Sequence, residues 1–159
     1  MYKSLKLNEF LSKITPGERK LLNQAADLCQ KQKGRLTHLR QVVFIIISRA
    51  IKGAKAYEIL HIIKELIPKA APPTVYRALN FLMTMNLINK VNTCQTYKVS
   101  MPDLDSCGVE AMLVCPRCNK QTRLNDDGLI YQMQKIIADN DFAPLPQLIE
   151  IVSLCNQCR

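Results

Sequence analysis

The sequence predicts an α+β protein in two parts, a helical N-terminal domain closed by a β-hairpin and a small α/β domain stapled by a metal. Three observations predict this. Helical periodicity runs from Glu18 to Met85 and then gives way to two short β-prone runs between residues 87 and 99. Two C-x-x-C pairs, Cys115-Pro-Arg-Cys118 and Cys155-Asn-Gln-Cys158, close the chain. Charge also divides: residues 1–90 carry 16 Lys/Arg against 5 Asp/Glu, a balance of +11, whereas residues 91–159 carry 6 against 8, a balance of −2.

Within 159 residues, 48% hydrophobic and 22% charged is a globular mixture with room for one ordinary or two small domains. The longest apolar run, residues 42–47 (VVFIII), is far too short to span a membrane. The opening MYKSLKLNEFLSK has no apolar core or small-residue cleavage site, so no secretory signal is expected. A cytoplasmic location follows as the expectation, with no membrane partner and with thiols kept reduced. A basic half invites phosphate contacts driven by counterion release, so the expected partner is a polyanion.

Residues 1–17 read as a lead-in ending at Thr15-Pro16-Gly17. From Glu18, Leu21, Leu22, Ala25, Ala26, Leu28 and Cys29 recur at helical spacing, with Cys29 a core thiol, and the helix fails near Gly34. Thr37 suits an N-cap for a helix from His38 to Ala50 that buries Val42, Val43, Ile46 and Ile47. A third helix begins near Lys55 or Ala56, buries Ile59, Leu60, Ile62, Ile63, Leu66 and Ile67, and stops at Pro68. Pro72-Pro73 opens a fourth, because proline fits the first turn, where an amide has no intrahelical partner. Its inward positions are Val75, Ala78, Leu79 and Leu82, which leaves Thr74, Tyr76, Arg77 and Asn80 on other faces.

Residues 87–91 and 96–99 then read as a hairpin with 92–95 as its turn. Basic helices followed by a hairpin describe a winged helix-turn-helix, whose second motif helix enters the DNA major groove. The winged-helix DNA-binding domain is thus set at residues 1–100, a hinge at 101–108 and a zinc-stapled dimerisation domain at 109–159. In the last part, residues 111–114 lead into the first cysteine pair and Asn125 or Asp126 caps a helix over Leu129, Ile130, Met133, Ile136 and Ile137. Residues 148–152 form a strand reaching the second pair. A domain this small needs both a metal and a partner subunit for support.

Two thiolates three residues apart bend around one ion through a tight turn, and two such pairs complete the tetrahedral all-sulfur set that zinc prefers. The 36 intervening residues would be closed into one loop by Cys115, Cys118, Cys155 and Cys158 around one structural zinc per subunit. Two disulfides, or four reduced structural thiols, are the alternatives.

Leu36-Thr37-x-x-Arg40, Ala56-Tyr57, Pro72-Pro73-Thr74-Val75-Tyr76-Arg77-Ala78-Leu79 and the paired C-x-x-C motifs together resemble the ferric uptake regulator family, and within it the zinc uptake regulator branch. The resemblance covers residues 18–158. It implies a bacterial, homodimeric transcription factor, a repressor that binds palindromic double-stranded DNA. The family's DNA-reading tyrosine and arginine fall on Tyr57 and Arg77, its backbone-contacting tyrosine on Tyr76, and Arg40, in a matching motif, is expected at the DNA with them. Physically, Arg77 suits bidentate donation to guanine, while Thr74 and Tyr76 suit phosphates.

The resemblance also implies a regulatory metal site in zinc-sensing members, but its positions here read Asn89, Ser100, Gly108 and Arg123, none a good zinc ligand. Sensing is therefore expected to be absent or degenerate. A shifted site would have to draw on Cys94, Cys107, Asp103 and Asp105, and a Cys94/Cys107 redox switch is a third reading. The histidines, His38 and His61, are assigned to surface or packing roles. A different class of function is a zinc-ribbon adaptor binding protein or RNA. Catalysis and a small-molecule substrate are not expected, because no motif sets a base beside a nucleophile and the four thiols are taken as ligands.

Overall fold

A computed structural model describes residues 2–100, 109–143 and 147–159, with side chains for residues 6–100, 110–143 and 148–159. The hinge lies outside them. The described residues divide into two compact units, one comprising residues up to 88 together with 96–100, the other residues 89–95 and those from 109 on.

The first unit holds α1 (Tyr2–Ser12), α2 (Pro16–Lys31), α3 (His38–Arg49), α4 (Ala56–Leu66) and α5 (Pro72–Thr84). Helix α1 was not foreseen. Leu7, Phe10 and Leu11 give it an apolar stripe, and Leu7, together with Ile14 just beyond the helix, is buried in the core. Helix α2 starts two residues earlier than expected because Thr15 and Glu18 form a complete capping box.

The core is built around α3, whose six consecutive residues 42–47 are all buried. The sequence reading assigned only four of them inward. Neighbouring helices cover α3 on more than one side, so no face is left for polar residues. Thr37 stands at its N-cap without a side-chain capping bond. Helix α4 buries Ile59 and Ile63 and leaves Leu60, Ile62 and Leu66 half-buried. Helix α5 buries Val75, Ala78, Leu79 and Leu82, as its spacing predicts.

Strands β1 (Ile88–Val91) and β2 (Thr96–Val99) form the expected hairpin. Ala54, just before α4, exchanges backbone bonds with Tyr97 at 3.0 and 2.8 Å. This bridge requires Gly53 at φ +81°, where a Cβ would sit 2.9 Å from Thr96.

The second unit is a three-stranded sheet, β4-β3-β5, built from β3 (Val109–Val114), β4 (Gln121–Leu124) and β5 (Gln147–Val152), with helix α6 (Asp127–Asp139). Strand β3 runs antiparallel to β4 and parallel to β5. Asp126 caps α6 through the Leu129 amide at 3.0 Å. Within this chain, α6 buries none of its residues fully, although its apolar positions were expected to be covered. The unit also holds a small cluster in which Val91, the last residue of β1, and Cys94 in the hairpin turn pack with Met112, Val114 and Leu148.

Candidate metal centre and nucleic-acid interface

The register of β3 on β5 builds the metal centre. Val114 pairs with Val152 in parallel, so the residues following each strand emerge side by side. Each C-x-x-C then turns tightly. The Asn119 amide donates to the Cys115 carbonyl at 2.9 Å and the Cys158 amide to the Cys155 carbonyl at 2.9 Å. Asn119 returns the chain with φ +57°, a conformation asparagine tolerates better than most residues. The Arg117 guanidinium spans the two knuckles, donating to the Cys158 carbonyl at 2.6 Å.

The four sulfurs of Cys115, Cys118, Cys155 and Cys158 all lie within 4.8 Å of one another. Cys118 and Cys155 are 3.6 Å apart at Sγ, and all four are free cysteines. A tetrahedron with zinc–sulfur bonds of about 2.3 Å has sulfur–sulfur edges of about 3.8 Å. The cluster therefore fits a Zn²⁺ ion, and a four-sulfur tetrahedral set is the donor chemistry zinc selects. Backbone N–H groups of Cys155, Cys118 and Arg117 bond the Cys115 sulfur and hold its pKa down to about 6. Hydrogen bonds with the Cys118 and Cys155 side chains, then burial and the Cys115 charge, push Cys158 up to about 12. Four thiolates this close repel one another unless a cation joins them, and a bound dication removes that conflict.

In the first unit, the residues expected at DNA fall near the starts of three helices, α3, α4 and α5. Tyr57, in the first turn of α4, is 66% exposed and its hydroxyl lies 3.4 Å from Glu58 Oε1. Tyr76 is 50% exposed and Arg77 is exposed on α5, whose opposite side is locked into the core. Thr74 is half-buried and lines a cavity of about 520 Å³ with Arg35, Thr37, His38 and Lys69. Arg40 is engaged within the fold: its guanidinium stacks on Phe81 and donates to the Arg35 carbonyl. His38 and His61 are both exposed.

The positions where the resemblance implies regulatory ligands hold a polar set. Arg123 Nη2 donates to Glu110 Oε1 at 2.8 Å, and Asn89 Nδ2 reaches Glu110 Oε2 at 3.5 Å. Ser100 is buried, its amide bonded to the Leu87 carbonyl at 3.0 Å. Cys94 is buried in the apolar cluster of the second unit. Cys107, Asp103, Asp105 and Gly108 lie outside the described residues.

The sequence model of the ferric uptake regulator family matches residues 31–152. The chain belongs to this family. Among characterised relatives, the zinc uptake regulation proteins of Escherichia coli (strain K12) and Shigella flexneri are each 32% identical over 88% of this chain and 82% of their own. Among solved structures, a zinc uptake regulator complexed with zinc and DNA superposes with a TM-score of 0.72 at 32% identity, covering 91% of this chain and 96% of that one. Holo XcZur gives 0.68 at 30% identity, covering 87% and 96%. The Helicobacter pylori ferric uptake regulator, at 17% identity and a TM-score of 0.62 over 89% of this chain and 93% of its own, shares the fold.

Glu110, Arg117, Phe81 and Glu150 were not singled out from the sequence. Of these, Arg117 had a signal, since a cation inside a C-x-x-C turn stands next to thiolates. The others act through partners far along the chain.

Proposed function

We propose that this ferric uptake regulator family member is a DNA-binding transcription regulator of the zinc uptake regulator type, a repressor that binds palindromic operators as a homodimer. The observation that carries the reading is the start of α5. Tyr76 and Arg77 stand outward, with Thr74 half-buried beside them, from a helix whose other side is buried through Val75, Ala78, Leu79 and Leu82, in the unit that holds most of the basic residues. A rigid helix presenting Arg77 suits bidentate reading of guanine, with Thr74 and Tyr76 placed for phosphates and Tyr57 for a second base or sugar contact. A relative solved with zinc and DNA supports the same partner.

The unit with α6 is the dimerisation domain in this reading. Tyr131 is 63% and Ile136 61% exposed, and Ile151 and Val152 on the edge strand are open as well, which is costly apolar surface for a lone subunit. One structural zinc per subunit is held by Cys115, Cys118, Cys155 and Cys158. It supplies a cross-link between the two knuckles, and with all four positions protein sulfur it offers no open coordination site. Operator binding does not depend on a second metal, because Arg123 places a fixed guanidinium beside Glu110 where a metal ion would meet repulsion.

The test is a mobility-shift titration of wild type and Arg77→Ala on palindromic and scrambled duplexes. Loss of site preference with retained folding supports the reading. Unchanged preference removes it.

A further inference from the structure

The hairpin tip, residues 92–95, belongs to the second unit and is held there from two sides. On its apolar side, Val91 and Cys94 are buried against Met112, Val114 and Leu148. On its polar side stands Glu150. Its Oε1 accepts the Asn92 amide at 2.5 Å, and its Oε2 accepts both the Thr93 amide at 2.9 Å and the Thr93 hydroxyl at 2.6 Å.

The sheet explains the placement. Leu148 and Glu150 are two apart on β5 and share a face, and Glu150 pairs with Met112 on β3, so Met112 lies on that face as well. One face thus supplies the apolar floor for Cys94 and, two residues along β5 from Leu148, the carboxylate for the turn. At the other end of the same face Glu110, braced by Arg123, reaches Asn89. Burial raises the Glu150 pKa, but the bonds from Thr93 and Asn92 outweigh it and leave the carboxyl below its ordinary range.

Two adjacent amides in a turn are the type of group that a winged-helix hairpin offers to a DNA phosphate. Here both already donate to an ionised carboxylate, whose negative charge would also oppose a phosphate arriving at the same place. We propose that Glu150 is the positioning residue of the hairpin, holding its tip as a fixture of the zinc-stapled unit and keeping the Asn92 and Thr93 amides from DNA. The DNA half of this inference rests on the function proposed above.

Amide hydrogen exchange on the zinc-loaded full-length chain tests the latch directly. In Glu150→Ala, exchange at Asn92 and Thr93 should quicken at least tenfold, while amides of α5 and the zinc content stay as in wild type. Glu150→Gln, which keeps a carbonyl acceptor, should restore part of the protection. Equal exchange at those two amides in wild type and Glu150→Ala overturns the proposal. The DNA half is read with Gln95→Lys, which adds a cation to the exposed tip. A tip away from phosphates leaves the slope of log affinity against log salt unchanged, whereas a tip on the backbone steepens it by about one unit and overturns the proposal. If the wild type binds no duplex, the DNA reading fails, and the exchange measurement still decides the latch.

Discussion

The guanidinium of Arg40 lies over the ring of Phe81, 3.5 Å from its centroid, while its Nη1 donates to the Arg35 carbonyl at 2.6 Å. This one side chain ties α3 to α5 and pins the loop that follows α2. Arg40→Ala should therefore lower stability by about 1–2 kcal/mol, the sum of a partly shielded cation–π contact and a charged hydrogen bond. Urea unfolding checks it. A variant of unchanged stability but weaker DNA affinity would make Arg40 a phosphate contact instead.

Glu18 accepts from Arg49 at 2.6 and 3.2 Å and completes the capping box with Thr15. The Arg49 bonds first, then the Thr15 amide, hold its pKa down to about 2. A carboxyl depressed on folding contributes stability above its unfolded pKa and loses it as pH falls toward the folded value. Glu18→Gln should cost about 1–2 kcal/mol near neutral pH, from the lost cap and ion pair, and the gap from wild type should close between about pH 4 and pH 2. Thermal melts across that range measure it.

Basic groups near the α5 start should divide by role. Arg77→Ala should cost about 1–3 kcal/mol at one operator base pair and leave non-specific binding nearly intact. Lys69→Ala, in the cavity beside Thr74, should weaken all duplexes alike and reduce the salt slope by about one. Titrations at several salt concentrations separate the two patterns.

Removing zinc should release the dimer. With increasing chelator, one ion per subunit should leave in a single step that coincides with dissociation in sedimentation, and Cys118→Ser should retain less than one. A second ion, weakly held and altering DNA affinity, would show that operator binding does depend on another metal.

Gly53→Ala should destabilise the first unit by about 1–2 kcal/mol, because alanine resists φ +81° and its Cβ would press on the buried Thr96. Native-state exchange at Ala54 and Tyr97, which close the bridge, should quicken with it.

Features written in contiguous residues were legible before any coordinates. Helix positions 72–84 followed from two prolines and an apolar period, the hairpin from two β-prone runs, and the four-sulfur cluster from cysteine spacing, since a knuckle is formed within four residues. Helix α1 carries a short apolar stripe without a strong start or stop signal, and β4, a polar edge strand held by backbone pairing, has almost no sequence signal. Side-chain partners far apart in sequence were hidden for a different reason. Glu150 meets Asn92 and Thr93 across 58 and 57 residues, and Arg40 meets Phe81 across two helices. Local periodicity sets which face of an element is apolar, but the register of β3 on β5 and the packing of α3 against α5 select which polar groups meet. The residues alone thus specified a basic helical unit and a four-sulfur metal site, while strand register decided that the two knuckles converge and that the hairpin tip is held by a carboxylate.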